Sequence, residues 1–328
     1  MFSLFHRLRD PAIFQGSLER KNYFEGWYFK QSDLAGDTKL SFIPGISLTG
    51  KDKHAFIQVI DGLNGEAYNI RYPICEFKPE KDPFAIHIGK NVFSYSGVKL
   101  DIIDEVQVKG KLEYTDLSLF KGAPWMRGVM GWYGYVPYME TYHGLLSLDH
   151  IVNGSIKIED SVLTLKNAKG YIEKDWGTSF PSAWIWMQGN CFKENKTSLM
   201  VSAAIIPWLG SSFIGHLAVF LYKNKVINLS TYSGGKVTKM SKTASTVELC
   251  IETSKYRLNV EALQGDTVNL KSPLKGNMVG RTVESLSSSI DVSLYDKKKN
   301  IILFAGKSEG SGLEIMDELS ELEKGLSL

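Results

Sequence analysis

Over most of its length the chain alternates apolar and polar residues with a period of two. Runs rich in Val, Ile, Tyr, Phe and Thr recur at Ala55–Ile60, Ala67–Tyr72, Gln107–Tyr114, Ser155–Ile158, Val162–Leu165, Phe213–Tyr222, Val226–Tyr232, Val247–Ile251, Tyr256–Ala262 and Ile301–Phe304. Such runs put side chains on alternate faces of a pleated strand, and no helix can bury them that way. Asp61-Gly62, Asn64-Gly65 and Gly234-Gly235 stand between runs, where hairpins need residues that tolerate positive φ. Lys297, Lys298 and Lys299 read as a solvated hairpin tip. A three-residue spacing of Leu313, Met316, Leu319 and Leu322 predicts one helix, over Gly312–Leu326. Lys121–Tyr138, rich in Gly and aromatics, reads as an irregular crossing loop or a short helix, with Trp125 and Trp132 forming a mouth or lid or plugging a barrel end.

Many short strands at regular spacing make a sandwich or a barrel. At 328 residues, two domains of about 150 residues each are expected. A loose internal repeat agrees. Glu25-Gly26-Trp27-Tyr28 opens one copy and Lys174-Asp175-Trp176-Gly177 the other, and His54 and His216 lie on a later strand of each. The expectation is a mainly β chain of two antiparallel barrel halves, residues 1–148 and 149–328, with a short C-terminal helix.

Charge narrows the partners. With 38 basic and 36 acidic residues, the net charge of +2 gives no footprint for nucleic acid. Cys75, Cys191 and Cys250 are far apart and odd in number, so neither a zinc knuckle nor a disulfide framework is indicated. Met1 to Arg9 precedes no apolar run of signal-peptide length, and a cytoplasmic location is expected. The apolar start Met1, Phe2, Leu4 and Phe5 is a candidate for peripheral membrane contact.

Three segments depart from ordinary strand composition. Asn22–Lys30 sets Glu25 among Tyr23, Trp27 and Phe29, where a carboxylate is costly unless paired or protonated. Tyr138–His150 concentrates Glu140, Tyr142, His143, Asp149 and His150 within a strand and a turn. Gly170–Gly177 carries Asp175 beside Trp176, and runs on to Trp184, Trp186 and Gln188. These last three share one face, apolar at one end and hydrogen-bonding at the other, as a wall for a ligand with an apolar body and polar head would be.

In order and spacing, these segments resemble the tocopherol cyclases of photosynthetic organisms and their bacterial relatives, from about Lys21 to Asp317. The chain is similar in outline to the carotenoid hydratase group as well, and both resemblances imply paired lipocalin-like barrels. The family resemblance implies closure of a chroman ring on a prenylated hydroquinone, begun by protonating an unactivated alkene. That chemistry needs an acid shielded from water, and an apolar pocket keeps a carboxylic acid protonated. Asp175 is the first choice, with Glu140 and Asp149 as rivals; the plain alternative for Asp175 is a salt bridge to Lys174. Trp27, Tyr142, Trp176, Trp184 and Trp186 would face the carbocation, with Glu25 and Gln188 completing the substrate site. His143 or His150 would take the phenol proton. No metal and no cofactor is called for. The expected partner is a hydrophobic, aromatic or prenylated small molecule, held by a cyclase, by a non-catalytic carrier, or by an alkene hydratase or isomerase.

Overall fold

The computed structural model of the chain describes residues 10–122, 128–137, 139–208, 210–317 and 320–326. Met1, Phe2, Leu4, Phe5 and Trp125 lie outside the described residues. The chain divides into two compact units. One runs to Phe180 and takes back Leu270–Arg281; the other holds Pro181–Asn269 and the chain from Thr282. The boundary expected after residue 148 instead falls inside a single long strand, Thr141–Ile158.

The first unit begins with a meander, β1 (Tyr23–Ser32), β2 (Lys39–Thr49), β3 (Asp52–Asp61) and β4 (Glu66–Pro73). Five further strands follow: β5 (Phe77–Lys81), β6 (Phe84–Ile88), β7 (Asn91–Ser94), β8 (Gly97–Ile103) and β9 (Gln107–Thr115). A long hairpin closes the unit, β10 (Thr141–Ile158) and β11 (Ser161–Gly177). Because β11 returns to β1, the sheet of 11 strands has the order β4-β3-β2-β1-β11-β10-β9-β8-β7-β6-β5.

The second unit repeats the plan. Its meander is β12 (Trp184–Gly189), β13 (Thr197–Trp208), β14 (Ser211–Tyr222) and β15 (Lys225–Asn228). Then come β16 (Lys236–Lys242), β17 (Thr246–Glu252), β18 (Tyr256–Leu263), β19 (Val268–Leu274), β20 (Asn277–Asp296) and β21 (Ile301–Met316), of which the stretch Leu270–Arg281, in β19 and the start of β20, belongs to the first unit. Here β21 returns to β12, in the order β15-β14-β13-β12-β21-β20-β18-β17-β16, with β19 on β20. The pairing paths end at β4 and β5 in one sheet and at β15 and β16 in the other, so among the described residues neither expected barrel is closed by strand pairing.

Shared strand order confirms a repeat but changes its phase. Glu25 pairs with Trp176, Gly26 with Asp175 and Trp27 with Lys174, so the two expected copy openings are cross-strand neighbours in one sheet. The strand equivalent to β1 is β12. His54 and His216 keep equivalent places, on β3 and β14.

Outer strands such as β9 and β18 show the burial alternation their sequences announce. By contrast β1 and β12 are buried almost throughout, on both faces. One face of β1 turns Trp27 and Phe29 into a core with Phe42, Ile57, Phe77, Phe84, Phe93 and Ile172. Each such side chain contributes about 1.5–3 kcal/mol. The second core holds Ile185, Met187, Leu199, Phe220, Leu258 and Phe304.

Of two local expectations, the hairpin tip holds and the helix is shorter. The lysine run is a hairpin tip, with the amides of Lys298 and Lys299 each 3.0 Å from the Asp296 carboxylate. Among the described residues the C-terminal helix, α1, covers Glu321–Leu326, and Leu319 of the expected helix lies outside the described residues. Gly312–Met316 ends β21 instead, because Leu313 faces the core while its neighbours pair with β12. The three-residue spacing was a strand end and a separate helical turn read together.

Candidate functional site

On β11, Tyr171, Glu173 and Asp175 share a face by alternation, and β10 sets His143 opposite Asp175. β1 lays Lys30, Tyr28 and Gly26 opposite Tyr171, Glu173 and Asp175. This is the face away from the core of the unit, and it gathers titratable groups rather than hydrocarbon.

His143 Nδ1 lies 2.8 Å from Asp175 Oδ1, and its Nε2 lies 3.4 Å from Glu173 Oε2. Tyr171 donates its phenol proton to that same Glu173 oxygen at 2.6 Å. The His143 and Glu173 side chains are 11% and 6% exposed, against 25% for Asp175, so Asp175 is the open end of the chain of contacts. Gly26 places no side chain beside it. Burial alone works against charging the imidazole, yet the carboxylates of Asp175 and Glu173 together outweigh it and hold the His143 pKa well above its ordinary value. Burial, followed by the Glu173 charge, pushes the Tyr171 phenol well up, so it remains a neutral donor.

The ligand atoms of His143, Glu173 and Asp175 all lie within 4.8 Å of one another, close enough to ask whether they hold a metal. The two ring nitrogens face opposite carboxylates, however, so the three groups do not converge on one centre. What this arrangement shares is a proton.

The other expected site residues go to different places. Glu25 is fully buried and accepts from the amides of Gln15 and Gly16 and from the Tyr23 phenol at 2.5 Å. Its cation is Lys174, at 2.5 Å. Lys174 also donates to the carbonyls of Pro11 and Ile13, and its ammonium sits 4.6 Å over Trp27 and 5.0 Å over Trp176. Burial lowers the Lys174 pKa, with the Glu25 charge opposing. The cation those two indoles face is therefore lysine. Tyr142 stacks on Trp176 at 5.6 Å on this same inner side.

Asp149 and His150 are not with His143. Bulges between Leu145, Ser147 and His150 shift the register of β10. His150 turns inward against Tyr114, ring to ring at 4.4 Å, with Nδ1 3.0 Å from Ser147 Oγ. Asp149 is buried, 3.4 Å from the Lys169 ammonium. The Glu140 side chain is exposed.

In the second unit, Trp184, Trp186 and Gln188 share the β12 face opposite Ile185 and Met187. The Trp184 indole donates to Glu314 at 2.5 Å. Gln188 is fully buried, with neither amide atom hydrogen-bonded among the described residues. Glu173, Tyr171 and Tyr28 were missed by the sequence reading. The available signal was spacing: residues two and four before Asp175 share its face on a strand.

The chain is thus a mainly β protein of two like units, with a histidine between carboxylates on one strand face. The chain belongs to the tocopherol cyclase-like family, whose model matches residues 121–316. It is 28% identical over 78 residues to a probable chloroplastic tocopherol cyclase of Oryza sativa subsp. japonica, and 30% over 74 residues to the chloroplastic tocopherol cyclase of Zea mays. Those stretches cover 24% and 23% of this chain but only 17% and 16% of the relatives. Among solved structures, CghA with Sch210972 is similar over 89% of this chain and 88% of its own, at 10% identity and a TM-score of 0.57. A putative AttH from Nitrosomonas europaea matches over 89% and 92%, at 14% identity and 0.51. Kievitone hydratase from Nectria haematococca matches over 92% and 93%, at 12% identity and 0.51. At such identities the structures establish the fold alone.

Proposed function

We propose that this protein is a proton-initiated cyclase, closing an oxygen-containing ring on a prenylated phenol or hydroquinone. The observation that carries this reading is the 2.8 Å contact between His143 and Asp175, backed by Glu173. Protonating an alkene requires a proton held out of bulk water beside a group that can release it. Moving the shared proton from Nδ1 to Oδ1 converts an ion pair into neutral imidazole and a carboxyl. The carboxyl O–H then breaks as a C–H bond forms at the less substituted alkene carbon. The tertiary cation is captured by the phenol oxygen, and the phenol proton returns to the His143–Asp175 pair, leaving the protein unchanged.

Family membership supports the chemistry, and the curated relatives named as tocopherol cyclases support the substrate class. Asp175→Asn tests the proposal. It keeps a hydrogen bond to His143 but cannot release a proton, so turnover of a prenylated hydroquinone should fall at least about 100-fold, with substrate affinity nearly unchanged. Equal turnover in variant and parent would remove Asp175 from the mechanism.

A further inference from the structure

Asp175 and His143 form the working end of the cluster, and Glu173 stands behind it with no open side of its own. A neutral imidazole has one N–H and can donate to one carboxylate only; the imidazolium donates from both nitrogens. His143 has a carboxylate at each: Asp175 hydrogen-bonded to Nδ1 at 2.8 Å, and Glu173 at 3.4 Å from Nε2, an ion-pair separation at which Nε2 makes no hydrogen bond among the described residues. The Glu173 oxygen facing the ring is the one that Tyr171 fixes at 2.6 Å. Resting on the cyclase reading, we propose that Glu173, locked by Tyr171, is a positioning residue that keeps His143 in its doubly protonated form, with the Nδ1 proton aimed at Asp175.

Among the described residues, β11 contributes Tyr171, Glu173 and Asp175 to this face, β10 contributes His143, and β1 contributes Tyr28 and Lys30 at the positions beside Glu173 and Tyr171. Tyr171 is fully buried and its phenol is pushed up, first by burial and then by Glu173, so it gives a hydrogen bond without giving up its proton. The raised pKa of His143 agrees with a carboxylate on each side. Glu173 therefore acts through His143, whereas Asp175 meets the substrate.

The test is the titration of His143 in the full chain, followed by NMR on ring-labelled histidine. Glu173→Gln keeps the shape and an acceptor for Tyr171 but removes the charge. The His143 midpoint should fall by about one pH unit or more, and Tyr171→Phe should lower it by less. In turnover, the high-pH limb of the Glu173→Gln profile should move down by the same amount with KM unchanged, and Glu173→Asp should restore part of it. An unmoved midpoint in folded Glu173→Gln overturns the proposal; if that variant does not fold, an unmoved midpoint in Tyr171→Phe does so. A shifted midpoint in a protein that turns over no prenylated phenol sinks the cyclase reading and leaves the positioning role standing.

Discussion

Lys174 shows how much one side chain can hold. Its ammonium is fully buried, and its three protons go to Glu25 and to two backbone carbonyls, of Pro11 and Ile13. Trp27 contributes a further bond, from its indole to the Ala12 carbonyl at 2.8 Å, so the segment before β1 is fastened onto the unit. Lys174→Met would strand the Glu25 carboxylate in the core. Losing one partner of a buried pair costs about 3–5 kcal/mol, to be read as a lower midpoint in denaturant unfolding. Glu25→Gln in the same chain should recover a good part of that loss, and no recovery would mean that Lys174 acts by filling space. From the sequence, Lys174 looked like a partner for its neighbour Asp175. Adjacent strand residues point to opposite faces, so that pairing is closed to them, and the true partner lies on another strand. The same rule, applied to Tyr171, Glu173 and Asp175, would have found the missing part of the candidate site.

At the scale of elements, strand alternation was legible wherever one face meets water, as in β9, β17 and β18. Strands buried on both faces do not alternate, and these carry the unusual chemistry: β1, the end of β11, and β12. Bulges are harder to read. Asp149 and His150 look like neighbours of His143 on paper, but His150 lies an odd number of residues further along β10 and so faces the interior, while the register shifts between Leu145 and His150 change which β11 residues they meet. Gly170 makes room for it, since a Cβ there would lie 2.0 Å from His150 Nε2. Gly170→Ala is expected to cost about 1–3 kcal/mol in a thermal or chemical melt. A melt identical to the parent would show that the imidazole can move aside. The helix α1 was visible as a pattern but misjudged in length. Asp317 accepts from the amides of Glu321 and Leu322, at 2.7 and 3.4 Å. Asp317→Ala should lower stability by about 1 kcal/mol, with less protection of those two amides in hydrogen exchange.

For the whole molecule, histidines set opposite slopes with pH. The His143 pKa is raised in the folded state, so its contribution is complete below the unfolded pKa, about 6.5, and is lost as pH rises through the folded value. His54 and His216 are lowered, chiefly by burial, so their contribution is present above that unfolded pKa and is lost as pH falls through their folded values. The melting-temperature gap between parent and His143→Gln should therefore narrow as pH is raised above neutrality; a gap that widens would mean that His143 is neutral in the folded chain.

In the proposed reaction a proton carried by His143 and Asp175 opens an alkene. Its most direct test is incubation of the purified protein with a phytyl- or geranylgeranyl-hydroquinone in heavy water, followed by mass analysis. The expected product is a chromanol carrying one deuterium on a carbon of the newly formed ring, absent with Asp175→Asn. A ring closed without deuterium, or substrate bound and returned unchanged, would contradict it.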